Sequence, residues 1–301
     1  MSLKRRLYPP IPLYPEWKQD IAVAKALTHV HAKSFSAGIK FFPKEVREST
    51  YALYAFVRIP DDIVDEQGLT DDQASEALST WINRWNIARR DIHQSTEPAF
   101  RLMHYTMERH GIPDQLVDDF FASMIMDTKV KTYTSYAQLS EYMHGSASVI
   151  GEMMTRICGT SSDDAIPGAR ALGEAFQLTN FIRDIDADYC KRGRIYIPSD
   201  LLSAHSVTHE WIINRRPDAQ WNVAINSLIS DVRILYKTGR SAIPYLSHDC
   251  QFGVALAADI YEAILDRVQD KKCDVFNGRV GTTTMEKLTI FGRRKLLPSS
   301  S

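Results

Sequence analysis

The chain has few cysteines, and nothing in their arrangement organises a fold. The four of them, Cys158, Cys190, Cys250 and Cys273, form no Cys-x-x-Cys pair. That excludes a thiolate zinc knot and leaves no disulfide framework. Nothing resembles a secretory signal, so free thiols in a reducing cytoplasm are expected. An excess of either charge is also missing, with 36 Lys plus Arg against 37 Asp plus Glu. No global field therefore recruits nucleic acid or anionic lipid, and attraction for an anionic substrate must be local. Apolar runs of about 18 residues are absent, so no membrane-spanning helix is expected. A Gly-x-Gly-x-x-Gly segment after a strand, the usual dinucleotide fingerprint, is absent as well.

What is present is helical periodicity over nearly the whole length. With 301 residues and 44% hydrophobic content, the chain can bury a sizeable core. Helices are expected at 18–36, 44–66, 71–94, 97–110, 114–130, 136–159, 164–190, 218–246 and 250–275. Pro43, Asp71, Pro113 and Asp163 stand where helices start; Gly68, Gly111 and Gly159 stand where they stop. Gly193 and Pro198 mark the clearest break, in CKRGRIYIPSDLL. No fixed-period repeat or long Gly/Ser linker divides the chain. The expected fold class is all-α: one domain over residues 18–295, a basic and proline-rich arm at 1–17, and a disordered tail at 296–301.

Two acidic clusters carry the chemistry. The first is Asp61, Asp62, Asp65 and Glu66 in RIPDDIVDE; the second is Asn180, Asp184, Asp186 and Asp188 in QLTNFIRDIDADY. Asp61 and Asp65 are four residues apart, as are Asn180, Asp184 and Asp188. On a helix that spacing stacks oxygen-bearing side chains along one face. Magnesium takes oxygen ligands, usually one or two carboxylates plus substrate phosphates. Two such faces turned toward each other would clamp a diphosphate. A lone Asp pair at this spacing is more often a solvated surface feature. Here both clusters interrupt core-like sequence, YALYAFVRI and ALGEAFQLTNFI, where gathered carboxylates repel unless something positive neutralises them. Arg58 and Arg183 offer guanidinium forks for phosphate oxygens. Lys191, Arg192 and Arg194 follow the second cluster, and their plainer role is to favour a helix C-terminal dipole. Tyr51, Tyr54, Phe56, Phe176, Phe181 and Tyr189 flank the clusters, either as core or as cavity wall.

Four segments resemble the squalene/phytoene synthase family, the head-to-head prenyl synthases. They are HAKSFSAGIKFFPKEVRESTYALYAFVRIPDDIVDE, YMHGSASVIGEMM, LGEAFQLTNFIRDIDADYCKRGRIYIPSDLL and IYEAILDRVQDKKCDVFNGRV. They occur in family order over about residues 25 to 290. The resemblance implies an isoprenoid-synthase-type helical bundle with a central cleft. It also implies magnesium-dependent condensation of two allylic diphosphates, geranylgeranyl or farnesyl, through a cyclopropylcarbinyl diphosphate to a linear polyene. Manganese is an alternative ion. The product branch suggested is bacterial phytoene or dehydrosqualene synthase, with squalene or hydroxysqualene synthase as runner-up and NADPH needed only for squalene. A class I terpene cyclase or a non-catalytic relative are readings from other classes.

Carried onto this chain, the resemblance makes Asp61, Asp65, Asn180, Asp184 and Asp188 the metal-bearing residues. Arg58, Arg183, His31, Ser34, Ser36, Arg192, Tyr261 and Arg279 become diphosphate contacts, Tyr261 closing the pocket among the catalytic residues. Ser34 and Ser36 are equally well helix-start hydroxyls. Tyr54 and Tyr142 are cavity candidates, and Gln177 faces the cleft one turn before Asn180. Asp62 and Asp186 fall off the ligand faces. Asp127 matches an acidic position of the family but pairs as simply with Lys129 or Lys131. The chain departs from the family at His144, Ala147 and Ser148, where a second tyrosine and an Ala–Gly pair are usual. His144 either lines the cavity or is a satisfied polar residue at a helix contact, the second being preferred. A hydrocarbon product partitions into lipid, so a cytoplasmic protein touching the bilayer peripherally is expected, through Leu7, Ile11, Leu13 and Trp17.

Overall fold

The computed structural model describes residues 14–31, 35–65 and 68–296, with backbone only at His31 and Phe35. Helices α1 (Trp17–His31), α2 (Phe35–Ile39), α3 (Lys44–Asp65) and α4 (Asp71–Ala88) come first. A 3₁₀ turn (Ile92–Gln94) leads to α5 (Pro98–His110) and α6 (Asp114–Asp127). Helix α7 (Tyr136–Met143) runs through a π turn (His144–Ser148) into α8 (Val149–Cys158). The central helix α9 (Ala165–Arg192) is followed by the short α10 (Ser199–Ser203) and α11 (His209–Ile213). Helices α12 (Ala219–Ala242), α13 (His248–Asp270) and α14 (Thr284–Leu296) complete the order. Among the described residues no strand forms, only two isolated bridges. The all-α reading holds.

Helix α9 is the axis, packed against α8, α12 and α13. Its alanines and glycines allow close approach. A Cβ on Gly173 would stand 2.4 Å from the Ala147 carbonyl oxygen, and one on Gly239 of α12 would stand 2.7 Å from Leu172 Cβ. The largest fully enclosed side chains include Trp221, Tyr133 and Tyr236, and a separate cluster of Phe56, Trp85 and Phe100 joins α3, α4 and α5.

Several expected boundaries move. The helix expected over 18–36 is two, α1 and α2. The one expected over 71–94 ends at Ala88, where Arg89 N–H caps back onto the Ile87 and Trp85 carbonyls. Thr70, not Asp71, caps its start, in a capping box with Gln73. The span 136–159 contains the π turn, and 250–275 closes at Asp270. Helix α14 was not expected at all. The proposed membrane role of Trp17 is corrected: its indole is buried, with its ring 4.5 Å from that of Tyr105 and its Nε1 3.3 Å from Glu48 Oε2. Leu7, Ile11, Leu13 and residues 297–301 lie outside the described residues.

Candidate active site

Helix α9 changes character along one stripe. Ala169, Leu172, Gly173, Phe176 and Gln177 line an apolar cavity, and the next turns of the same helix carry Asn180, Arg183, Asp184 and Asp188. Helix α13 repeats the pattern, with Val254 and Ala257 on the cavity and Tyr261 one turn further. Helices α2, α8 and α12, the π turn and the turn around Ile243–Leu246 supply further wall. The cavity has a volume of about 190 Å³.

The two acidic faces are opposed. Arg192 bridges them, its Nη2 2.5 Å from Asp65 Oδ2 on α3 and its Nη1 3.9 Å from Asp188 Oδ1 on α9. Arg58 donates to Asp61 Oδ2 at 2.7 Å and also pairs with Asp62. Arg183 pairs with Asp184, and Arg279 grips the same carboxylate with Nε at 2.9 Å and Nη2 at 3.1 Å. Gly278 (φ 91°) occupies the left-handed region next to Arg279. Asp186 turns away to Arg215 (2.8 Å).

These neighbours set the ionisation. The Asp61 side chain is 40% exposed, yet burial by the surrounding protein and then the Asp65 charge push its carboxyl up to about 6. Burial, followed by the Asp184 charge, raises Asp188 to about 7. Asp65 is raised by burial against the pull of Arg192 and Arg194. Burial also opposes the charge on Asp184, but the bonds from Arg183 and Arg279 hold it below the usual carboxylate range. Burial pushes the Tyr54 phenol up to about 12 and raises that of Tyr261, whose ring lies 4.5 Å from Phe176.

Two residues outside the expected set complete the acidic wall. Arg194, 3% exposed, sits 3.0 Å from Asp65 Oδ1 and 3.1 Å from Asp127 Oδ2. Tyr196 Oη donates to Asp127 Oδ1 at 2.9 Å. Gly193 (φ 64°) ends α9 in the left-handed region. The chain then turns inward, and Ile195 N–H donates to the Lys131 carbonyl at 2.8 Å, which docks Arg194 and Tyr196 on Asp127. Pairing of Asp127 with Lys129 or Lys131 is corrected; Lys131 instead takes Asp71 at 2.6 Å.

Other expected residues are placed as follows. Ser36 is buried, with no partner for its hydroxyl, while Ser34 and the His31 side chain lie outside the described set. Neither Tyr54 nor Tyr142 is among the side chains lining this apolar cavity; Tyr142 packs elsewhere. It is buried in an aromatic stack with Tyr133 (5.8 Å), Tyr196 (5.7 Å) and Phe181 (6.3 Å) beneath Asp127. Gln177 lines the cavity. His144 points away from it, Nε2 3.2 Å from Asp119 Oδ2, while Ser148 donates to Glu174 at 2.6 Å. The plainer reading of His144 stands.

The donor set suits a hard divalent cation that shares its shell with substrate. Among the described residues no three acidic or histidine groups converge to enclose an ion unaided. Each face offers carboxylates at helical spacing, and the Asn180 Oδ1 is buried with no hydrogen-bond partner. That fits an ion taking one or two carboxylates and completing its shell with phosphate oxygens and water.

Comparison with known proteins agrees with this geometry. The family model "Squalene/phytoene synthase" matches residues 28–286. A phytoene synthase of Thermus thermophilus is 31% identical over 261 residues, covering 86% of each chain. One of Arthrospira platensis is 28% identical over 281 residues, covering 88% of this chain and 89% of its own. A dehydrosqualene synthase crystal structure superposes with a TM-score of 0.85 at 24% identity, covering 93% of this chain and 96% of its own. The squalene synthase HpnC from Alicyclobacillus acidocaldarius does so at 0.76 and 26% identity, covering 86% and 97%. Matched along most of its length, the chain is a prenyltransferase that belongs to the squalene/phytoene synthase family.

Proposed function

We propose that this enzyme joins two allylic prenyl diphosphates head to head, through a cyclopropylcarbinyl diphosphate, to a linear polyene such as phytoene or dehydrosqualene. The observation that carries this is the single α9 stripe running from an apolar cavity to an acidic, arginine-rich mouth. Prenyl chains occupy the cavity, and the diphosphate sits between α3 and α9. Arg58, Arg183, Arg192 and Arg279 have guanidiniums at that mouth and stabilise the negative charge that builds on the leaving group. The apolar wall keeps water from the carbocation. Phe176 and Tyr261 present ring faces to passing positive charge, worth about 0.5–2 kcal/mol each. Magnesium held by Asp61, Asp65, Asn180, Asp184 and Asp188 would supply further charge stabilisation of the departing diphosphate.

A second reading rests on Ser146. Its hydroxyl is buried without a hydrogen-bond partner in the wall of the apolar cavity. Water held there would capture the cation and give a hydroxylated product. The test feeds purified enzyme farnesyl or geranylgeranyl diphosphate with magnesium, with and without NADPH, and identifies products by mass. A polyene unchanged by NADPH supports the non-reductive reading. An alcohol supports the second, and squalene formed only with NADPH contradicts both.

A further inference from the structure

Helix α14 carries an apolar stripe that the rest of the described protein leaves uncovered. Met285, Leu288 and Leu296 are 72%, 58% and 86% exposed, and the helix contains no buried residue. With Gly292 these positions fall on one side of the helix. Arg293 and Lys295 flank the stripe, exposed and without an ion pair among the described residues. The only carboxylate of the helix, Glu286, is taken by Arg267 and by the Thr283 N–H and hydroxyl.

The opposite face is firmly seated, so the stripe does not belong to a loosely placed segment. Arg294 grips Asp259 of α13 with two bonds of 2.7 Å. The Phe291 ring stacks on Phe41 at 5.4 Å and meets Phe252 edge-on at 6.0 Å. Phe41 neighbours Phe42, and Phe252 lies two residues before Val254; Phe42 and Val254 both line the cavity. The helix is thus seated on the elements that carry Phe42 and Val254 to the cavity. Among the described residues no helix is long and apolar enough to cross a membrane.

We propose that α14 is an interfacial helix that seats the protein on an anionic phospholipid surface. Its stripe enters the headgroup boundary while Arg293 and Lys295 meet lipid phosphates. An apolar helical face flanked by cations, with its only acid already paired, is the pattern that binds such surfaces. The reason for the location rests on the proposed function: a hydrocarbon product has no stable place in water.

The test is flotation of the full-length protein with vesicles of phosphatidylcholine alone or mixed with phosphatidylglycerol. The protein floats with the mixed vesicles. Replacing both flanking cations (Arg293→Ala with Lys295→Ala) weakens partition about thirtyfold; Leu288→Asp weakens it at least about tenfold. All variants keep wild-type turnover in detergent and an unchanged melting curve. Flotation of the variants like wild type, or failure of the wild type to float, overturns the proposal. So does loss of a dimer in Leu288→Asp with flotation unchanged, which would assign the stripe to a second copy. Flotation reads no turnover, so inactivity on prenyl diphosphates would sink the proposed function and leave this result standing.

Discussion

Arg194 Nη1 lies 3.0 Å from Asp65 Oδ1, tying the loop after α9 to the end of α3. The same nitrogen is 3.1 Å from Asp127 Oδ2. One buried guanidinium thus holds two carboxylates in register and keeps Asp65 facing the cleft.

Removing that guanidinium leaves the buried Asp127 carboxylate without a cation and Asp65 with Arg192 alone. Breaking a buried pair from one side costs about 3–5 kcal/mol. Arg194→Met is therefore expected to melt many degrees below wild type in calorimetry and to lose turnover. Arg194→Lys recovers part of the stability, because it keeps a cation beside the acids but loses the second nitrogen that reaches the Val64 carbonyl. A melting temperature unchanged in Arg194→Met would remove this residue from the account.

The raised carboxyls predict how stability and metal depend on pH. Asp61 and Asp188 titrate at about 6 and about 7 in the folded protein, against about 3.9 unfolded. A folded value above the unfolded one contributes stability that is fully present below the unfolded value and lost as pH rises through the folded one. Without metal, these two groups become destabilising between about pH 4 and 7. Magnesium favours their charged forms and reverses the loss, while protons compete with it at low pH. Calorimetry should show a large magnesium-induced rise in melting temperature at pH 8 that shrinks below pH 6. Asp188→Asn should melt above wild type at pH 8 without metal and show almost no turnover. A magnesium effect of equal size at pH 5 and 8 would contradict this.

Close helix approach shapes the cavity. In Gly173→Ala the new Cβ would lie 2.4 Å from the Ala147 carbonyl oxygen, so α9 and the π turn must separate. Overpacking of this kind costs about 1–3 kcal/mol, a drop of several degrees. Because the change touches the cavity and not the acidic mouth, KM for the prenyl substrate should rise while inorganic pyrophosphate binds as before. Parallel weakening of both would show that the two regions are not separable.

The helices and the paired acidic faces were legible because both are periodic: apolar residues at 3.6-residue spacing, and Asp61/Asp65 and Asn180/Asp184/Asp188 at four. Residues placed by non-periodic backbone were harder. Arg194 reads as one cation in a basic run, and only the left-handed Gly193 turns it inward to Asp65 and Asp127. The π turn hides inside a helical pattern, because its extra residue changes hydrogen bonding without a sequence marker such as proline. Helix α14 divides its apolar residues between two faces, Met285, Leu288 and Leu296 on one and Phe291 on the other, so no single core-facing stripe marks it in the sequence. Trp17 reads as a lipid contact because it is an apolar residue of the proline-rich arm, but it packs on Tyr105. Tyr142 lies one turn before the cavity-lining Ser146 but packs into the aromatic stack with Tyr133, Tyr196 and Phe181.

Everything functional depends on α3 and α9 gripping one diphosphate together. Calorimetric binding of inorganic pyrophosphate with magnesium, to wild type, Asp65→Asn, Asp188→Asn and the double variant, tests this most directly. The account predicts binding that requires magnesium, is weakened by each single change, and is weakened in the double variant by clearly less than the sum of the two. Wild-type binding that persists without magnesium, or strictly additive losses, would mean that the two faces act separately and would contradict it.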